Sequence, residues 1–450
     1  MSFKRILLDE LIKWENSLYR KPLILRGARQ VGKTTLVKEF AKTFTQKIFL
    51  NLEKKEDRDF FEQNDNTKII IESLFLRKNL KLDLKNTLLF IDEIQESPKA
   101  IQLLRYFYED FPELRVIAAG SLLEFALKKV PSFPVGRVEY MYLHPLNFQE
   151  YLLATHNELA LEQLNYTPIA PFAHKTLMGH FHNYAITGGM PEILKVFTET
   201  QSLTYLPKIY EGIIRTYQDD IEKYSSNETD RRVIKHIMAI GHSFLDKRIK
   251  FQNFGNSNYR SREVGEAFIN LHQAKIVRLV FPTTSIEPPL LVDFKKAPRM
   301  QFLDTGLLNY KIGIQADMLL FDDLSFLYRG AIIPHLLTQE IISLGITTDE
   351  IPSFWVREKS QSSAEVDLLL KYKNLLIPIE IKSGSTGTLK SLHQFIDAAP
   401  HPFAARIYGG EFKVENAVTP AGKRFILMNL PYYLGTKINE CLSLLVDGKF

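Results

Sequence analysis

Eight residues near the amino end constrain this chain more than any other feature. Gly27-Ala28-Arg29-Gln30-Val31-Gly32-Lys33-Thr34 fits the spacing G-x-x-x-x-G-K-[ST]. A glycine at each end lets the backbone wrap round phosphate with its N–H groups turned inward. Pro22 to Arg26 reads as a short buried strand, and the residues after the loop read as a helix to about Phe44. That helix presents its positive N-terminus to the same anion. The pattern assigns Gly27, Ala28, Arg29, Gln30, Val31, Gly32, Lys33, Thr34 and Thr35 to a loop for a nucleoside triphosphate. Lys33 would neutralise the β- and γ-oxygens, and the Thr34 hydroxyl would ligate Mg²⁺.

Thr87-Leu88-Leu89-Phe90-Ile91 predicts a strand that delivers Asp92 and Glu93 to its carboxyl end, beside the loop in a parallel sheet. There Asp92 would hold Mg²⁺, directly or through water, and Glu93 would orient and polarise the attacking water. Further strands are expected at Lys47–Leu52 and Leu114–Gly120, with a helix from about 98 to 111. Alternating strands and helices argue for a parallel sheet covered by helices. Ser121, just after the strand ending at Gly120, can sense the γ-phosphate; an N-cap role with Glu124 three residues on fits equally. Arg137 can stabilise transition-state charge, in cis or from a neighbouring subunit, or be a plain surface arginine. The catalytic set on this reading is Lys33, Glu93 and Arg137.

The 450 residues allow about three domains. With 45% hydrophobic and 24% charged residues, disordered, collagen-like and coiled-coil chains are excluded. No apolar run approaches the roughly 20 residues needed to cross a bilayer, so no membrane partner is expected. The first residues lack a signal-peptide pattern. A lone cysteine, Cys441, excludes an internal disulfide and fits a cytoplasmic setting. The eleven histidines show no metal-ligand spacing. No pattern selects an oligomeric state.

At this point a resemblance becomes visible. Leu25 to Leu36, Phe90-Ile91-Asp92-Glu93-Ile94-Gln95, Gly120-Ser121-Leu122-Leu123 and Phe133-Pro134-Val135-Gly136-Arg137 begin a series. Gly188-Gly189-Met190-Pro191-Glu192, Phe302 to Leu307 and Ile379 to Gly384 continue it. In this order the motifs resemble the prokaryotic AAA-like ATPases that carry a C-terminal domain of unknown function, DUF4143. The resemblance implies ATP and Mg²⁺ as cofactors and ATP hydrolysis as the activity. The expected architecture is α/β. An AAA-like P-loop sheet (1–155) precedes a helical region (156–228), a winged-helix-like segment (229–300) and a nuclease-like α/β domain (301–450).

Residues 229–300 hold thirteen Lys or Arg against six Asp or Glu, although the whole chain carries only +5. The segment is expected to form three helices and two short strands. Arg262 to Leu271 is the candidate recognition helix, with Ser261 as N-cap and Val264, Phe268 and Leu271 on its apolar face. Lys247, Arg248 and Lys250 add positive charge that would contact DNA phosphates. The alternative is a spacer with a solvated basic surface, or a protein–protein module.

Ala364 to Leu370 and Leu375 to Ile381 predict a hairpin that brings Asp367 towards Glu380 and Lys382. Asp367, then Glu380-Ile381-Lys382, resembles the PD-(D/E)xK nuclease core, in which such a set binds Mg²⁺ and activates water. That resemblance implies an upstream helical acid, for which Glu340 is the candidate. The chain departs from the pattern of DUF4143 relatives here, because Gly330-Ala331-Ile332-Ile333 is followed by Pro334-His335 instead of a Glu-Asn pair. A fold kept only for binding, or a plain Glu380–Lys382 ion pair, are the alternatives. Three functions remain in competition: an ATP-driven device acting on nucleic acid, an ATP-dependent nuclease, and a nucleotide-gated protein scaffold.

Overall fold

The computed structural model describes residues 3–127, 130, 134–166, 168–315, 330–357, 364–382 and 388–448. Phe133, Ser383 and Gly384 of the motifs above lie outside the described residues. The chain divides into two units. The first is Met1–His144 with Gln273–Ile276 and Gly345–Asp349; the second is Pro145–His272, Val277–Leu344 and Glu350–Phe450.

The first unit holds five strands: β1 (Leu23–Arg26), β2 (Gln46–Asn51), β3 (Thr87–Asp92), β4 (Arg115–Gly120) and β5 (Glu139–Tyr142). They form one parallel sheet in the order β2-β3-β4-β1-β5. Thr87 to Ile91 are all buried, as expected for a strand covered on both faces. The helix Pro98–Asp110 begins where Ser97 accepts from the Ala100 N–H and Pro98 supplies a preset φ. Its Ala100, Ile101, Leu104 and Phe107 recur at helical spacing and join the core under the sheet.

The second unit begins with helices, among them Phe148–Ala154, which is started by an Asn147/Glu150 capping box. Phe181, Tyr184 and Ile186 of the helix Pro171–Thr187 are buried. It ends at Gly188, and Pro191 opens the next helix, Pro191–Thr200. Strands β6 (Val277–Val280) and β8 (Arg299–Phe302) form an antiparallel ribbon. A seven-stranded mixed sheet has the order β13-β14-β12-β11-β10-β9-β7. Its members are β7 (Pro282–Thr283), β9 (Ser353–Val356), β10 (Glu365–Tyr372), β11 (Leu375–Ile381), β12 (Phe403–Tyr408), β13 (Lys413–Val418) and β14 (Arg424–Pro431). The molecule is thus α/β, with a parallel five-stranded sheet, a helical middle and a mixed C-terminal sheet.

The middle segment differs from its expected pattern. Only two α-helices form between 228 and 300, Glu228–Ile240 and Ser261–Gln273. Left-handed Asn253 and Gly255 (φ 52° and 62°) confine the chain between them to short turns. Three strands follow instead of two, and β7 pairs with β9 of the large sheet. Val264, Phe268 and Leu271 do line one buried face of the second helix. Cys441 is buried. Among the described residues no helix is long and apolar enough to cross a membrane.

Candidate functional site

The loop between β1 and the helix Lys33–Phe40 is built on backbone that few residues can adopt. Gly27 has φ 154°, Gln30 63° and Gly32 98°. A methyl group on Gly27 would meet the Leu143 carbonyl at 2.3 Å. Lys33 is 7% exposed and turns back over the loop, its Nζ donating to the carbonyls of Gly27 (3.0 Å) and Ala28 (2.8 Å). Burial pulls its pKa down to about 8, partly offset by Glu93 and Asp92, while Arg29 opposes its charge. Among the described residues the ammonium hydrogen-bonds to these two carbonyls, and an anion in the loop would restore its lost solvation. Ala28 and Val31 pack inside and Thr35 faces solvent.

The register β1–β4–β3 places the other expected residues at the same sheet edge. Arg26 lies level with Gly120, so Ser121 leaves β4 beside the loop entrance. Asp92 ends β3, one strand further on, and accepts from Thr34 Oγ1 at 2.7 Å. Burial raises the Asp92 pKa, and the Thr34 hydroxyl works against that rise. Glu93 follows in a left-handed conformation, φ 52° and ψ 45°. Glu124 accepts from Arg26 Nη1 at 2.7 Å. Arg137 is elsewhere engaged, its Nε donating to Glu109 at 3.0 Å on an exposed edge.

Two residues missed in the sequence belong to this site. Arg5, 6% exposed, donates to the Val31 carbonyl (3.0 Å) and the His144 carbonyl (2.6 Å), tying the loop's middle from behind. Nothing in its sequence neighbourhood marks it. Gln95 donates from Nε2 to Glu93 Oε2 at 2.5 Å; its place two residues after the acid was the available signal.

In the second unit the hairpin forms as expected, β10 against β11, and gathers Asp367, Glu380 and Lys382. Lys382 Nζ donates to Glu380 Oε1 at 2.6 Å, and Asp367 Oδ2 accepts the Ile381 N–H at 2.8 Å. Burial first, then the Asp367 charge, raises the Glu380 pKa. Unanticipated is Arg299 from β8, whose guanidinium reaches Glu365 (2.9 Å), Asp367 (3.4 Å) and Asp246 (3.5 Å). The adjoining cavity, lined by Arg299, His335 and Asp367, has about 30 Å³, room for a water or two. Glu340 does not join this cluster. It is 1% exposed on the helix Ile332–Ser343 and accepts from the Phe148 N–H (3.0 Å) and the Tyr184 hydroxyl (2.6 Å).

Part of the basic segment is neutralised by acids from outside it. Arg231 and Arg232 pair with Glu228, Arg248 with Glu365, and Lys275 with Asp349. Arg262 pairs within its own helix with Glu266 at 2.8 Å. Lys235, Lys250 and Arg260 stay exposed.

A five-stranded parallel sheet with this loop and an acid-tipped strand defines a P-loop ATPase domain. Residues 19–152 match the AAA domain family AAA_14, and such a domain implies ATP binding and hydrolysis. Residues 178–318 match a domain of unknown function (DUF8612), and 329–433 another (DUF4143). Similar solved structures include a Walker-type ATPase of Pyrococcus abyssi, at 15% identity over 69% of this chain and 96% of that one, TM-score 0.43. PCH-2 of C. elegans is similar at 14% identity over 43% and 62%, TM-score 0.29. A single-substitution variant of RuvB from Thermotoga maritima is similar at 14% over 65% and 93%, TM-score 0.26. No curated protein matches the chain.

Proposed function

We propose that this chain is a Mg²⁺-dependent ATPase whose turnover rearranges the modules of its second unit. The observation that carries the reading is Lys33, a buried cation curled onto two carbonyls inside a glycine-framed loop. The loop N–H groups and Lys33 bind the phosphates. Thr34 and Asp92, already bonded to each other, would hold Mg²⁺, which when bound neutralises phosphate charge. Glu93 takes up the proton side of the chemistry by orienting water, and Ser121 reads the γ-phosphate end of the site. Arg137, whose side chain makes an exposed ion pair with Glu109, is the arginine assigned to transition-state charge. The test is ATP turnover with and without Mg²⁺, together with binding of labelled nucleotide. Lys33→Ala should lose turnover, and Glu93→Gln should bind nucleotide without turning it over. Turnover unchanged in both variants defeats the proposal.

A second reading, nucleic acid as the target, is favoured by the exposed Lys235, Lys250 and Arg260 on the winged-helix-like segment. Binding would then weaken steeply between about 50 and 200 mM salt. No binding at low salt favours a protein scaffold. Cleavage is not proposed. Glu365 and Asp367 already have Arg299 as counter-ion, and Glu340, the expected helical acid, is bonded to the Phe148 amide and the Tyr184 hydroxyl.

A further inference from the structure

We infer that Gln95 is a positioning residue for Glu93, and that Gly120 is glycine in order to make room for it. The inference rests on the ATPase reading above.

Glu93 sits at a point of backbone strain. A non-glycine residue at φ 52°, ψ 45° is strained and persists only where its surroundings enforce it. The enforcement is local. The Glu96 N–H donates back to the Glu93 carbonyl at 3.0 Å, which closes the tight turn Ile94–Glu96. That turn swings Gln95 back over the acid, where its Nε2 meets Glu93 Oε2 at 2.5 Å. Among the described residues Glu93 Oε1 has no partner, so the clamp takes one carboxylate oxygen and leaves the other free for water. Held on one oxygen, the carboxylate loses rotational freedom about its terminal bond, the freedom that misaims a base.

Gly120 supplies the space. Its φ is not in the left-handed region, so conformational freedom does not explain a glycine there. A methyl group at Gly120 would stand 2.3 Å from Gln95 Oε1 and 3.4 Å from its Cδ. Gln95 Oε1 is buried without a hydrogen-bond partner, so the amide is wedged in place at some expense in polar satisfaction. Two segments thus converge on one carboxylate: the turn after β3 carries the acid and its clamp, and the end of β4 leaves the gap that the clamp fills.

The experiment is steady-state ATP turnover and labelled-nucleotide affinity for Gln95→Ala, Gln95→Glu, Gly120→Ala and the double variant Gln95→Ala/Gly120→Ala, each checked for native melting. Gln95→Ala should lower kcat by about 10- to 100-fold with nucleotide affinity within twofold. Gln95→Glu, similar in shape but without the donor, should be no better. Gly120→Ala should reproduce the loss by displacing Gln95. The double variant should be no worse than Gln95→Ala, because the clashing amide is gone. A kcat within twofold of wild type in Gln95→Ala overturns the inference and leaves the ATPase reading standing. So does an equal loss of affinity and turnover, which would mark a structural role. Additive losses in the double variant overturn the Gly120 part. Absence of turnover in the wild type removes the ATPase reading and the inference with it.

Discussion

Arg299 and Asp367 lie 3.4 Å apart, Nη1 to Oδ1, on strands of two different sheets. The same guanidinium donates to Glu365 and stacks 4.5 Å over the Phe354 ring. Truncating it would take the counter-ion from Asp367, whose side chain is only 19% exposed, and leave Glu365 with Arg248 alone. Arg299→Ala is expected to cost about 3 kcal/mol, read as a lower urea midpoint. Arg299→Lys should recover only part, because an ammonium cannot bridge both acids in a fork. The clamp also predicts that wild-type protein leaves supercoiled plasmid intact in Mg²⁺ or Mn²⁺. Nicking that disappears in Lys382→Ala would assign cleavage to this cluster after all.

The bond from Thr34 to Asp92 makes a separate prediction about metal. If these two side chains hold Mg²⁺ together, removing either should leave binding of nucleotide without metal unchanged while weakening the metal's hold. Thr34→Val and Asp92→Asn should each raise the Mg²⁺ concentration for half-maximal turnover by about tenfold or more. Thr34→Ser, which keeps the hydroxyl, should stay near wild type. A metal titration of turnover decides it, and an unmoved midpoint would remove the pair from the metal site.

What could be read from the sequence was what is local. The loop, the strand before it and the helix after it lie within a few residues of one another, so spacing alone assembles them. Asp92 was legible because an apolar strand must end somewhere, and a parallel sheet brings that end beside the loop. How much of the positive charge at 229–300 is paired was not legible, because some of the neutralising acids come from distant segments: Glu365 reaches Arg248, and Asp349 reaches Lys275. Glu340 had the right residue type on a helix, but its side chain is turned to the Phe148 amide and the Tyr184 hydroxyl. Arg5 was illegible because its partners are carbonyls, which leave no mark in side-chain identity.

Two of the motifs that carry the resemblance lock onto each other. The Gly189 N–H donates to Asp304 Oδ2 at 2.7 Å, and a methyl group on Gly188 would stand 2.3 Å from Asp304 Oδ1. On Gly189 a methyl would meet the Leu146 carbonyl at 2.0 Å, and on Gly306 the Thr187 carbonyl at 2.1 Å. Gly189→Ala should therefore cost at least about 3 kcal/mol, since backbone cannot yield as a side chain can. Gly212 is the control: it lies exposed within the helix Leu206–Asp219 with nothing near its added methyl. Gly212→Ala should raise stability by about 1 kcal/mol. Urea midpoints of the two variants, moving in opposite directions, would confirm the assignment.

Glu340 gives the fold a pH dependence of definite sign. Burial pushes its pKa up to about 8, against the opposing pull of the Tyr184 and Phe148 bonds. Unfolded, the same carboxyl would titrate near the ordinary value of 4.5. Between those two values the folded chain holds a proton that the unfolded chain has lost, so stability is full below the lower one and falls as pH rises through the upper. The slope from this group approaches about 1.4 kcal/mol per pH unit within that window. Glu340→Gln keeps an acceptor for the Tyr184 hydroxyl and removes the titration. The variant should match wild type near pH 5, exceed it near pH 8, and show a flatter stability profile between. Parallel profiles for the two proteins, measured by urea unfolding across that range, would mean that Glu340 is ionised in the native state and that its charge is compensated where it lies.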